Sequence, residues 1–206
     1  MERVVMFELE HLNELGDPCK KVLIMELMGK HSNIIFCDDK NMILDSIKHV
    51  SSHMSSVREV LPGREYFIPQ TQDKLDPLTV SEELFREVVC RKPCNISKAI
   101  YSSLTGISPV VAEEVCFRAS VDGSEAAQAL DETAQVHLYH TFCRLMDQVK
   151  EGDFSPNIIY RGEEPVEYGV FAFQQYGPEY HSVEFDSVSE MLETYYATKN
   201  TLTRIH

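Results

Sequence analysis

The chain has 206 residues, 43% hydrophobic and 25% charged, an ordinary globular balance that permits one large domain or two small ones around a real core. It contains no apolar run of the roughly eighteen residues that a membrane helix needs. The opening MERVVMFELE has neither the basic start nor the cleavage site of a secretory signal, so the expected setting is the cytoplasm, with no membrane. A net charge of −14 argues against a polyanionic partner, but residues 1–119 carry 14 Lys+Arg against 18 Asp+Glu while residues 120–206 carry 5 against 15, so any nucleic-acid surface is expected in the first part.

Strand signals come first. Arg3–Glu10, Lys20–Met28, Asn33–Cys37 and Met42–Val50 are rich in Val, Ile, Leu, Met and Phe, and short polar or Gly-containing stretches separate them. Connections this short predict an antiparallel meander, with Asp38–Asn41 the clearest hairpin turn. Arg3–Leu9 reads as a buried strand with no lead-in, which suggests that Met1 begins a fragment. Arg58–Pro77 loses periodicity and gains Pro62-Gly63, Pro69 and Pro77, as expected of an extended surface linker.

Helical signals follow. Thr79-Val-Ser-Glu82 has capping-box spacing and predicts a helix over Val80–Cys90. Asn95 is placed to cap a helix running to about Leu104, and Ser108-Pro109 to start a third with Ala112, Val115 and Cys116 on its inner face. A short helix near Ala126–Leu130 precedes a longer one from about Thr133 to Val149, ending at Gly152. Strand patterns return at Ile158–Tyr160, Val166–Phe173 and His181–Phe185, and Ser187-Val-Ser-Glu190 opens a last helix through about Ala197. The fold class expected is α+β: an antiparallel β-rich part over 1–77, an all-helical part over 78–153 inserted into or docked upon it, and returning strands with a terminal helix over 154–206.

Candidate chemistry is sparse. The six cysteines are scattered through apolar or helical stretches, which favours reduced thiols, and Cys90…Cys94 lacks the spacing of a zinc or thioredoxin pair. His137, His140 and Cys143 share one helix face, but no second ligand-bearing segment accompanies them, so no metal or other cofactor is expected. No catalytic triad or carboxylate dyad is evident, and the chain is read as a non-enzyme. Two segments stand out as anion-binding candidates. Leu104–Val115 describes two helices joined by a tight turn, a helix-hairpin-helix in which the N–H groups at Gly106 and after Ser108 could face a phosphate. Glu113 and Glu114 lie close by and weaken that reading. Lys30, His31, Ser32 and Asn33 concentrate a cation, an imidazole, a hydroxyl and an amide on one short loop that lacks the spacing of a P-loop.

The run ELMGKHSNIIF (Glu26–Phe36), followed by Asp45, Ile47-Lys48, Arg58, Leu61-Pro62-Gly63, Tyr66, Pro69, Gln72, Lys74 and Pro77, resembles the N-terminal domain of the NFACT family, also known as the fibronectin-binding protein A family. Asn13–Asp17 and Ser187–Tyr196 extend the resemblance across essentially the whole chain. What it implies is a fold similar to the β-rich domain and helix-hairpin-helix domain of formamidopyrimidine-type DNA glycosylases, without their catalytic machinery. It further implies a part in bacterial ribosome-associated quality control. There the family's members engage the 50S subunit with its stalled nascent chain–tRNA complex, hold transfer RNA and promote untemplated alanine tailing. The family's Asp-Arg pair for transfer RNA matches Glu2-Arg3, with Glu2 a conservative departure, and Pro69-Gln70 replaces its usual Pro-Pro. The resemblance also implies that a preceding segment, a coiled coil and a C-terminal RNA-binding domain lie outside this sequence. Fibronectin, attached through a surface adhesin, is the alternative partner that the family name supplies, and a glycosylase-like nucleic-acid enzyme is a more distant alternative.

Overall fold

The structure, a computed structural model, describes residues 3–68 and 73–204, with the side chains of the last helix through Thr201. The chain is α+β with antiparallel sheets and divides into two compact units, Met1–Asp73 and Lys74–His206.

In the first unit, β1 (Arg3–Leu12), β2 (Pro18–Leu27), β3 (Asn33–Asp38) and β4 (Ile43–Ser46) form a four-stranded meander in sequence order, as the short connections predict. Side-chain acceptors close two of its turns. Asn13 Oδ1 accepts from Leu15 N and Asp17 N, both at 2.9 Å, and Asp38 Oδ1 accepts from Lys40 N and Met42 N, both at 2.9 Å. Asn41 takes the left-handed φ of 61° that the second turn needs. Alternation along β2 and β3 turns Ile24, Ile35 and Cys37 to one face, where Ile43, Val60 and Tyr66 complete a small core.

Three sequence expectations are corrected in this unit. β1 is an edge paired, among the described residues, with β2 alone, and Val5, Met6, Phe7, Leu9 and Leu12 are exposed; apolar content made it read as buried. The strand expected over Met42–Val50 ends at Ser46. Asn33 captures the backbone of Lys48 on both sides, Nδ2 donating to its carbonyl and Oδ1 accepting from its N–H at 2.9 Å each, which draws the chain off the ladder. The start of the expected linker is bound to the sheet rather than extended over the surface: Ile43 N donates to Arg64 O, Gly63 N to Ile43 O and Tyr66 N to Asn41 O. Pro69 and Gln70 lie outside the described residues.

In the second unit, α1 (Glu82–Val88), α2 (Ile96–Ser103), α3 (Pro109–Arg118) and α4 (Glu132–Glu151) precede a three-stranded antiparallel sheet of order β6-β5-β7, built from β5 (Asn157–Arg161), β6 (Glu164–Gly169) and β7 (Tyr180–Glu184), and a final helix α5 (Val188–Arg204). Asn95, Ser108 and Ser187 cap α2, α3 and α5 as expected, each accepting from the N–H three residues on. α1 is capped by Ser81 instead of Thr79, because Asp76 takes Leu78 N on its carboxylate and Val80 N on its carbonyl, holding Thr79 in a turn. The segment near Ala126–Leu130 is a single 3-10 turn over Ala127–Ala129. α4 stops at Gly152, whose φ of 66° suits a residue without Cβ. β6 ends at Gly169 short of Phe173, since the Asn157 amide donates to Ser155 O and Phe171 O at 2.7 Å and turns the chain away from the sheet.

The larger core sits among α1–α4 around Phe85, Ile100, Val115, Leu138, Phe142 and Leu145. The Phe85 ring centroid lies 5.5 Å from those of both Phe142 and Tyr139. Burying each such side chain contributes about 1.5–3 kcal/mol, which explains why three short helices and the longer α4 hold together.

All six cysteines are free thiols, with Cys37, Cys90 and Cys116 buried. Burial pushes the Cys90 thiol up to about 11 and, with nearby Glu113 and Asp122, Cys116 up to about 12. Since the thiolate is the nucleophile, alkylation by iodoacetamide at about pH 8 is expected to spare both until denaturant is added. Mass spectrometry of labelled peptides checks this, and rapid native labelling of Cys116 would contradict it.

Candidate nucleic-acid interface

Two residues past the end of β2, Gly29 adopts a φ of 58°, a conformation that side chains resist, and opens the 3-10 turn Gly29–His31. The turn is held from three sides. Ser32 Oγ accepts from Met28 N at 3.0 Å, the Asn33 amide joins it to Lys48, and Lys48 Nζ donates to Lys30 O at 3.2 Å. Ser32 and the buried Asn33 therefore spend these polar atoms inside the fold, while Lys30 and His31 are exposed.

A cavity of about 1020 Å³ opens beside the turn. Lys30, His31, Lys48 and His49 supply its basic lining, and Met28, Val50, Met54, Val57 and Val60 its apolar lining. Glu26 and Arg58 close part of it as a buried pair. Glu26 is 1% exposed, Arg58 Nη2 reaches its Oε1 at 2.6 Å, and Tyr66 OH donates to the same oxygen at 2.9 Å. Arg58 Nη1 donates to Phe67 O at 2.7 Å, and the guanidinium lies 5.5 Å from the Tyr66 ring centroid. Burial, and then the hydrogen bond to Glu26, push the Tyr66 phenol well above its ordinary range. The negative charge of Glu26, the one acid in the lining, is thus answered inside the protein. At the rim, His49 Nε2 lies 2.9 Å from Asp45 Oδ1, a contact that holds the Asp45 carboxyl below its usual range.

The register of β1 on β2 sets Arg3 opposite Leu27, so the exposed Arg3 stands at the end of the sheet from which the Lys30–His31 turn departs. Glu2 lies outside the described residues. Sequence reasoning passed over the Glu26–Arg58–Tyr66 cluster, although a signal was present. Ile24 and Glu26 are two apart on one strand, so an inward Ile24 places a carboxylate inward as well, and a buried carboxylate needs a cation.

At the α2–α3 joint, Gly106 takes a φ of 76° and Ile107 is buried. Ser108 is engaged as a cap, its Oγ accepting from Val111 N at 3.4 Å. Glu114 points inward, accepting from Arg118 Nε at 2.7 Å, Gln174 N at 2.8 Å and Gln175 N at 3.1 Å. Among the described residues no group of three or more His, Cys, Asp or Glu is gathered for a metal, and no helix is long and apolar enough to cross a membrane.

The model of the NFACT N-terminal and middle domains matches residues 1–206. The chain belongs to the NFACT family. It is 34% identical over 200 residues to the Rqc2 homolog RqcH of Bacillus subtilis, a match covering 97% of this chain and 33% of that protein. It is 30% identical over 199 residues to the Rqc2 homolog RqcH of Streptococcus suis, covering 96% and 31%. This NFACT chain thus spans about a third of the length of the curated relatives it matches. Its fold is like that of the fibrinogen binding protein from Staphylococcus aureus, with a TM-score of 0.72 at 24% identity over 94% of this chain and 66% of that one. The N-terminal part of the fibronectin/fibrinogen-binding protein from Streptococcus suis has a TM-score of 0.65 at 27% identity, covering 95% and 63%.

Proposed function

We propose that this NFACT chain is a non-catalytic RNA-binding module of a ribosome-associated quality-control factor. In this reading it engages transfer RNA and the 50S subunit carrying a stalled nascent chain–tRNA complex, and the whole protein promotes untemplated alanine tailing. The observation that carries the reading is the gathering of Arg3, Lys30 and Lys48 toward one end of the first sheet, in a chain whose net charge is −14. A positive cluster on an otherwise acidic surface is where a phosphate backbone is held, because self-repulsion keeps it off the remainder. The family relation to the RqcH proteins supports the ribosomal setting.

The likeness to formamidopyrimidine-type glycosylases stays part of this proposal, with α2–α3 as a helix-hairpin-helix. There the N–H groups at Gly106 and beyond Ser108 offer further phosphate contacts, and the inward turn of Glu114 removes one acid from their way. The adhesin alternative draws on the family name and on the names of the structural neighbours, and no side-chain cluster described above carries it. A pull-down with the tagged chain from a bacterial lysate, with bound RNA sequenced and 50S proteins probed, is expected to enrich transfer RNA and large-subunit proteins. Recovery of neither above a tag-only control contradicts the reading.

A further inference from the structure

We propose that the open edge of β7 docks an extended, basic protein segment, which joins the sheet β6-β5-β7 as a fourth strand with its lysines or arginines against Glu179, Glu184 and Asp186. The partner is a protein, and the proposal stands apart from the RNA-binding reading.

The backbone is the first ground. β7 pairs, among the described residues, with β5 alone, and its register on that strand runs from Tyr180 to Glu184 without a bulge. Phe185 N donates to Pro156 O at 2.8 Å, which fixes the alternation of an antiparallel ladder. His181 and Val183 turn their N–H and C=O groups to β5, and Ser182 and Glu184 turn theirs to the open side. α5 packs on β6 and β5, the Tyr195 ring centroid lying 4.7 Å from that of Tyr168, while residues 181–184 are all exposed. β7 carries neither Lys nor Pro, two of the residues with which sheets block such an edge.

Charge selects the occupant. Glu179, Glu184 and Asp186 are exposed, and between Gly162 and Thr198 the sequence has no Lys or Arg to answer them. A second copy of this chain would bring the same acids to the edge and set like charges against each other, and a nucleic-acid strand would be repelled as well. A basic segment gains the backbone hydrogen bonds and the opposite charge together. Side-chain alternation adds a detail. His181 and Val183 stand on one face of β7, where His181 stacks on Tyr160 at 5.4 Å between centroids, and Ser182 and Glu184 stand on the other. The segment that fits therefore alternates basic with apolar residues.

The test titrates the 206-residue chain into fluorescently labelled peptides of roughly ten residues that alternate lysine and valine. One is unmodified, and the other is N-methylated at every second residue, which removes the edge-facing N–H groups at equal charge. The unmodified peptide is expected to bind at least about tenfold more tightly. Glu184→Pro, which removes an N–H that the native ladder does not use, is expected to abolish that difference. The double variant Glu184→Lys, Asp186→Lys, at two exposed positions, is expected to turn the preference to a peptide with glutamate in place of lysine. Absence of binding by the unmodified peptide, equal binding of the methylated one, a difference that persists in Glu184→Pro, or no reversal in the double variant overturns the proposal.

Discussion

Replacing Glu26 with Ala is expected to destabilise the first unit by about 3–5 kcal/mol, the usual consequence of removing one member of a buried ion pair. Glu26 is 1% exposed and the Arg58 side chain 11%, so the guanidinium left behind has little water to turn to. Tyr66 loses its acceptor in the same step. In a domain of this size each kcal/mol moves the midpoint by roughly 4–8 °C, so the first unit should melt more than about 10 °C lower. Circular dichroism melts of wild type and Glu26→Ala check this. The double variant Glu26→Met, Arg58→Met should recover much of the loss, because no orphaned charge remains. A loss below about 1 kcal/mol in Glu26→Ala would mean that the pair is as well solvated as a surface bridge.

Glu114→Ala is expected to cost the second unit about 3 kcal/mol or more. Glu114 is fully buried, and its carboxylate serves Arg118 and the backbone N–H groups of Gln174 and Gln175, tying α3 to the chain between β6 and β7. Each of those donors is left to find another acceptor when the carboxylate goes. Affinity for transfer RNA at a temperature where the variant stays folded should not change. That separates the structural role of Glu114 from the repulsion of phosphate that its sequence position suggests. Stronger RNA binding by Glu114→Ala would show that the carboxylate faces the nucleic acid after all.

How far the sequence could be read follows from how local each determinant is. Asn95, Ser108 and Ser187 cap their helices because a cap depends on a few neighbouring residues, and the meander could be read because its turns are short. The cap falls on Ser81 and not on Thr79 because Asp76 competes for the same backbone from outside the capping pattern. The end of β4 depends on Asn33, a residue of the preceding strand, and the Arg58–Glu26 pair spans strands and loop. Contacts at such separation leave no periodicity to find. The basic loop was legible as Lys30–Asn33, but composition gives four equivalent polar residues where the fold keeps Ser32 and Asn33 for itself and leaves Lys30 and His31 exposed. The apolar content of β1 reports a strand and says nothing of what covers it.

If the sheet end bearing Arg3, Lys30 and Lys48 holds transfer RNA, as proposed, Arg3→Ala weakens that binding, which fluorescence anisotropy at physiological salt reads alongside the melting temperature. Arginine makes paired, charge-assisted hydrogen bonds to phosphate that alanine cannot, and losing one costs about 1–3 kcal/mol, or roughly tenfold to a hundredfold in affinity. A surface ion pair made by the same side chain would contribute at most about 1 kcal/mol to stability. The expected result is weakened transfer RNA binding of that size with a shallower salt dependence and an unchanged melting temperature. Wild-type affinity in Arg3→Ala, or a melting temperature that falls in step with binding, would contradict the assignment.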